Sequence, residues 1–235
     1  AETHFKNVDK VNFLNKPFQV HVGNEKYESD TIIIATGASA KLLGLESESK
    51  LMGYGVSACA TCDGFFFKDK EILVVGGGDS AMEEANYLTR FASKVTLVHR
   101  RDSFRASKIM QDRVLENSKI EVLWNSAITD MCGEPNKGGL TGVKIQDTST
   151  NKISDLKCDG VFVAIGHKPN SDLFLDQLKL DETGYIITEG DSSITSIKGV
   201  FAAGDIHDTR YRQAVTAAGS GCKAALDAEH YIDNL

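Results

Sequence analysis

The chain has 235 residues, room for one large domain or two modest ones, and its 41% hydrophobic and 25% charged content is that of a globular protein. No run approaches the ~18 apolar residues of a membrane span, no basic block interleaved with aromatics points to nucleic acid, and the net charge of −7 speaks only for solubility. Five cysteines in a chain of this length do not make a disulfide scaffold, and they fit a reducing, cytoplasmic compartment.

Residues 1–30 read as a small β meander, with short strands over 11–14, 18–22 and 26–29 separated by polar turns. The β-branched run 31–35 ends in Thr36-Gly37, as a buried strand would. A second buried strand covers 71–75. The glycine turn after it opens a helix over 79–91, in which Ala81, Ala85 and Leu88 recur on one face. The next strand, 94–98, completes a βαβ unit with a parallel pair. A helix over 107–117 and a strand over 121–124 follow. Residues 143–146 and 152–156 flank a polar turn and read as a hairpin. The apolar strands 159–165 and 200–203 each end in glycine, and an Ala- and Gly-rich helix covers 213–231.

The turn after the strand 71–75 is Gly76-x-Gly78-x-x-Ala81, a G-x-G-x-x-A dinucleotide fingerprint, with Asp79 and Ser80 inside it. The first glycine permits the turn, the second admits a pyrophosphate, and Ala81 lets helix and strand pack closely. The helix N-terminus then offers unpaired N–H groups to the phosphates. An NAD site expects an acidic residue at the end of the following strand. This chain instead has His99-Arg100-Arg101, with Arg105 close behind. Arginine forks suit the extra 2′-phosphate of NADPH; the competing reading is a solvated basic patch.

Just upstream lies Cys59-Ala60-Thr61-Cys62-Asp63. The spacing suits a small redox disulfide or half of a zinc site. Zinc needs four ligands, and no second such pair or nearby paired histidine is visible, so no metal is expected. Asp63 could hold a proton for thiol–disulfide exchange or cap the following turn. A dithiol beside a nicotinamide fingerprint suggests electron flow between NADPH and sulfur.

The segment from Cys59 to Phe66, the turn 76–81 and the stretch from His99 to Arg105 resemble, in order, the redox and NADPH motifs of the low-molecular-weight thioredoxin reductases. Residues 31–38, Gly166-His167-Lys168-Pro169-Asn170, 199–205 and Arg212-Gln213-Ala214 resemble segments of that family's flavin domain. The resemblance implies an α/β fold of two Rossmann-like dinucleotide-binding domains, of the pyridine nucleotide-disulfide oxidoreductase type. A discontinuous FAD domain would take residues 1–40 and 167–235, around an NADPH domain of 41–166.

It also implies that FAD carries electrons from NADPH to Cys59 and Cys62, which reduce thioredoxin, with Asp63 as proton donor or acceptor. Gly76, Gly78, Asp79, Ser80, Ala81, His99, Arg100, Arg101, Arg105, Ile165 and Gly166 would hold NADPH, with the three arginines on its 2′-phosphate. Thr36, Gly37, Gly204, Asp205, Arg212, Gln213 and Ala214 would hold FAD. A homodimer, and an NADPH domain that swings relative to the flavin domain, are implied as well. Members of the family begin with a further strand–turn–helix for the FAD pyrophosphate. This chain begins at Ala1 without one, so an incomplete flavin domain and a fragment are expected. The alternatives are an NADPH-binding fragment inactive by itself, and a flavoprotein reductase of another thioredoxin-like or peroxiredoxin-linked disulfide.

Overall fold

The computed structural model describes all 235 residues. The chain divides into two compact units, Ala1–Ser39 with His167–Leu235, and Ala40–Gly166. No helix is long and apolar enough to cross a membrane.

The continuous unit is built on a five-stranded parallel sheet with the strand order Val56–Ser57, Gly160–Val163, Glu71–Val75, Lys94–Val98, Ile120–Leu123. Its central strands are apolar at nearly every position because both faces are covered. Ile72, Val74, Val95, Leu97 and Phe162 point to one face, where the helices Asp79–Leu88 and Lys108–Leu115 bury Ala81, Met82, Ala85, Leu88 and Val114. Their neighbours Leu73, Val75, Val98, Val161 and Val163 point to the other. There a three-stranded antiparallel sheet, Ser126–Glu134, Gly139–Asp147 and Ile153–Lys157, supplies Ile128, Met131, Val143 and Ile145. The two-residue period of the strands thus feeds two separate cores.

The expected hairpin is therefore two strands of a three-stranded sheet. Its first strand, Ser126–Glu134, escapes the sequence reading because register shifts at Ile128/Asp130 and Cys132/Gly133 interrupt its alternation. The helix expected over 79–91 ends at Leu88, because the Arg90 and Phe91 amides bond back only three residues, to Tyr87 and Leu88. A short helix, Glu46–Leu51, was also not anticipated. Its fully buried Glu48 accepts the amides of Leu43 and Gly44 at 2.9 Å each.

In the discontinuous unit the meander forms as expected, Lys10–Asn12, Phe18–Val22 and Glu25–Ser29, with Val11 opposite Val20 and Val20 opposite Tyr27. Ile32–Ile34 pairs in parallel with Val200–Ala202. Phe13, Phe18, Ile34, Phe174, Val200 and Ile206 fill the core between these elements. The Gln177 amide joins them, accepting from Phe13 N and donating to Val11 O. The helix Ala214–Asp233 buries Ala224 and Ala228 against Phe201 and Ala203. Its small residues allow close approach there, whereas a Cβ added at Gly219 or Gly221 would meet nothing.

Candidate redox and dinucleotide sites

The redox pair sits where the sheet's edge strand Val56–Ser57 runs into a single helical turn, Ala60–Asp63. Cys59 and Cys62 are joined in a disulfide. Cys59 is half-buried and Cys62 exposed. The turn is anchored on the apolar side by Ala60, and by Gly64, where an added Cβ would come within 3.0 Å of Leu88. Asp63 closes the turn and is bonded back to Ser57. The buried Ser57 hydroxyl donates to its Oδ2 at 2.6 Å and accepts the Cys59 amide at 3.0 Å. One hydroxyl thus ties the carboxylate to the backbone of the first cysteine. A cavity of about 300 Å³ opens beside them, lined among others by Tyr54, Ser57, Asp63, Phe66 and Lys70. Phe65 and Phe66, directly after the motif, are 68% and 70% exposed, while the next residue, Phe67, is buried on Phe162.

The glycine turn is preformed. A Cβ on Gly76 would lie 2.5 Å from the Ala164 carbonyl oxygen and 2.6 Å from Ala81 Cβ, so close packing against the neighbouring strand and first helical turn demands glycine. A Cβ on Gly77 would strike the His99 ring at 2.2 Å. Around Gly78, by contrast, nothing lies within 4 Å of an added Cβ. That open space faces the start of the helix Asp79–Leu88, which no N-cap side chain closes. The first amides of a helix have no partner within it and carry partial positive charge.

Asp79 Oδ1 is turned away, accepting the Ser107 amide at 2.7 Å and its hydroxyl at 2.9 Å. Ser80 is exposed at the turn's mouth. The loop after the strand Lys94–Val98 is held to the turn by Arg105 N and Ala106 N, which both donate to Gly77 O. The side chains of Arg100, Arg101 and Arg105 are exposed and pair with no carboxylate. Ile165, exposed, and Gly166, at φ +97°, follow Ala164 out of the strand beside Gly76. An open approach, an uncapped helix start and three unpaired guanidinium groups fit a phosphorylated dinucleotide.

In the discontinuous unit the expected flavin residues fall into two groups. Thr36 and Gly37 follow the strand Ile32–Ile34. Thr36 Oγ1 donates to Asn170 O, the Asn170 amide donates to Gly37 O, and Asn170 Nδ2 donates to Thr36 O, so one asparagine clamps both residues. The other group runs from Gly204 to the start of the last helix. Gly204 has φ +75°, and its amide donates to Ser220 Oγ at 2.7 Å. Asp205 Oδ1 is enclosed and has no hydrogen-bond partner.

Asp208 organises the loop beyond, accepting the amides of Arg210, Tyr211 and Arg212. Burial pushes its carboxyl up, and these amides more than offset that, leaving it below its ordinary value. They hold Arg212 at φ +49°, with its guanidinium on Thr209 O. Gln213 stands at the helix N-cap, with Ala214 exposed after it. His207, next to this loop, has an enclosed and unpartnered Nε2, and burial pulls its imidazole below the ordinary histidine value. A carboxylate oxygen enclosed without a donor fits a ligand that brings hydroxyls, such as the ribityl chain of FAD.

Sequence reasoning missed Ser57, whose six-residue link to Asp63 has no motif signature, and the outward pose of Phe65 and Phe66, the first two of three successive phenylalanines after Cys62.

A family profile described as pyridine nucleotide-disulphide oxidoreductase matches residues 2–221. The thioredoxin reductase of Rickettsia conorii is 57% identical over 227 residues, covering 96% of this chain and 73% of that protein. That of Mycolicibacterium smegmatis is 53% identical over 232 residues, covering 99% and 74%. The crystal structure of thioredoxin reductase from Streptococcus pyogenes superposes with a TM-score of 0.91 at 42% identity, covering 98% of this chain and 74% of that one. On these similarities, carried across both units, the chain belongs to the thioredoxin reductase family of the pyridine nucleotide-disulphide oxidoreductases.

Proposed function

We propose that this chain reduces the disulfide of thioredoxin with electrons from NADPH, through the Cys59–Cys62 pair. The observation that carries the reading is a disulfide set beside a hydrogen-bonded carboxylate, in the unit that also bears the nicotinamide fingerprint and three unpaired arginines. We assign the nicotinamide nucleotide to Ala40–Gly166 and FAD to Ala1–Ser39 with His167–Leu235. When bound, FAD supplies the two-electron relay between nicotinamide and disulfide.

The overall balance is NADPH, one proton and a thioredoxin disulfide giving NADP⁺ and a thioredoxin dithiol. Two electrons open the Cys59–Cys62 bond. One thiolate then attacks a thioredoxin sulfur to form a mixed disulfide, and the second thiolate attacks its partner within that disulfide, restoring Cys59–Cys62 and releasing the reduced substrate. Only thiolates attack, so protons must be held and returned nearby. Asp63 is placed for that by Ser57 and borders the 300 Å³ cavity. Phe65 and Phe66 give the protein substrate an apolar surface next to the pair. Arg100, Arg101 and Arg105 hold the 2′-phosphate, and Gly78 with the helix start holds the pyrophosphate. Asp205, Arg212, Gln213 and Ala214, with Thr36 and Gly37, line the flavin.

We further place the protein in the cytoplasm, as a homodimer. The three free cysteines, among them the exposed Cys222, fit a reducing compartment. Tyr211, Val215 and Leu226 are 58%, 77% and 59% exposed at and along the last helix, an apolar stripe of the kind that pairs; light scattering tests that state. Function is tested by following NADPH oxidation with oxidised thioredoxin as acceptor. The wild type turns over and Cys59→Ser does not. Full turnover by Cys59→Ser, or equal rates on unrelated disulfide proteins, contradicts the reading.

A further inference from the structure

His99 follows the strand Lys94–Val98 and is 7% exposed. Its ring lies over the glycine turn, where Gly77 leaves room for it. Nδ1 is 2.9 Å from the Gly76 carbonyl oxygen and Nε2 is 2.9 Å from the Ser103 carbonyl oxygen. Phe104 and Trp124 pack around it, with ring centroids 5.2 and 6.0 Å away. Both ring nitrogens are therefore committed to backbone, and neither is free for a ligand. No side-chain charge competes for the ring. Asp79 is bonded to Ser107, Asp102 accepts from Ser103 Oγ, Glu121 pairs with Lys94, and Arg100, Arg101 and Arg105 are exposed.

The two carbonyls belong to different parts of the candidate nucleotide site. Gly76 opens the turn that faces the pyrophosphate. Ser103 lies in the middle of the loop that carries Arg100, Arg101 and Arg105. The loop's remaining ties to the turn, from Arg105 N and Ala106 N to Gly77 O and from Ser107 to Asp79, all attach its far end. Asn125 N and Thr148 Oγ1 hold the Arg101 and Arg100 carbonyls from the side away from the turn; of the ties that join loop to turn, the His99 ring is the one that reaches Ser103.

We propose that His99 is a positioning residue for cofactor choice: set between Gly76 O and Ser103 O, its ring fixes the arginine loop against the pyrophosphate turn, and so sets the preference for a 2′-phosphorylated nicotinamide nucleotide without touching it. This rests on the reading of 76–81 and 100–105 as an NADPH site. An arginine loop set at the wrong height still lets the pyrophosphate bind but loses the 2′-phosphate, because charge-assisted bonds depend on geometry.

The test is calorimetric titration of the FAD-loaded protein with NADP⁺ and with NAD⁺, for wild type and His99→Asn. Asparagine reaches one carbonyl at most. The expected result is a roughly tenfold or greater loss of NADP⁺ affinity, the scale of one lost hydrogen bond to a charged group, with NAD⁺ affinity changed less than about twofold. Equal weakening of both nucleotides overturns the proposal, since His99 would then support the turn alone; an unchanged ratio overturns it too. A wild type with no preference for NADP⁺ would instead remove the NADPH reading beneath it.

If His99→Asn does not fold, the wild type labelled with ¹⁵N-histidine decides. Ring-nitrogen signals that stay put when NADP⁺ is added support the brace. A ring nitrogen that shifts as NADP⁺ binds contradicts it.

Discussion

The redox turn and glycine turn of one unit and the Gly204–Asp208 segment of the other treat their enclosed polar groups in opposite ways. At the redox and nicotinamide site of Ala40–Gly166 the chain satisfies itself: Ser57 serves Asp63, Ser107 serves Asp79, and His99 serves two carbonyls. At the flavin residues of the other unit, Asp205 Oδ1 and His207 Nε2 are enclosed with no partner. An enclosed polar atom left unpaired costs about 1–3 kcal/mol, which a ligand that bonds it gives back. On the proposed assignment the first site is built in advance and would admit its nucleotide to open surface, whereas the second would be finished by what it binds.

The sharpest break in this comparison is chemical. Cys59→Ser should lower disulfide reduction by about three orders of magnitude or more, since Cys62 alone can neither form the disulfide that takes up two electrons nor complete the two-thiol exchange, while NADPH affinity is unchanged. A stopped-flow assay with thioredoxin reads the first and calorimetry the second.

Within the preformed site, Gly77 and Gly78 should separate fold from binding. Gly77→Ala drives a methyl into the His99 ring and should cost about 1–3 kcal/mol of stability. Gly78→Ala meets open space, so its melting temperature should hold while NADPH binding weakens. Equal melting temperatures for the two variants would refute the preformed turn.

The flavin site should respond the other way. Asp205→Ala removes the unpaired oxygen, so the flavin-free protein should be no less stable, yet FAD should bind roughly tenfold or more weakly. Thermal melts with and without FAD measure both, and a large loss of stability without FAD would show that Asp205 has a structural partner after all. A smaller effect in the nicotinamide unit is expected from Ser57→Ala, which frees Asp63 without removing it. Turnover should fall several-fold and the fold should survive.

The smallest effect is on pH. His207 is held below its ordinary value in the folded chain, so the unfolded chain takes up that proton first as pH falls. Its contribution to stability is present above about pH 6.5, the unfolded value, and is lost as pH drops towards the lower folded value. Denaturant midpoints between pH 7 and 5 should therefore slope less in His207→Gln. Asp208, whose folded carboxyl lies below its ordinary value, loses its contribution only at more acid pH, below about 4, so the two windows do not overlap.

Much of this was readable in the sequence, for physical reasons. The strands Glu71–Val75 and Lys94–Val98 were legible to the residue because sheets covered on both faces leave unbroken β-branched runs between turns. The strand Ser126–Glu134 was not, because its irregular register mixes Thr129 and Asp130 into the apolar alternation. The glycine fingerprint and the cysteine spacing are local and could be read directly. What joins them is not local: the Ser57–Asp63 bond depends on how one turn doubles back, and the His99 ring spans from residue 76 to residue 103. The motif marked His99 as a nucleotide contact, while its two ring bonds lie on the backbone.

The most direct test of electron transfer through Cys59–Cys62 is an anaerobic visible spectrum of the FAD-loaded protein. NADPH is added first and oxidised thioredoxin second. The flavin band should bleach with NADPH and return with thioredoxin in the wild type, and bleach without returning in Cys59→Ser. A band that returns equally in both proteins would show that electrons reach thioredoxin by a route that does not use the pair.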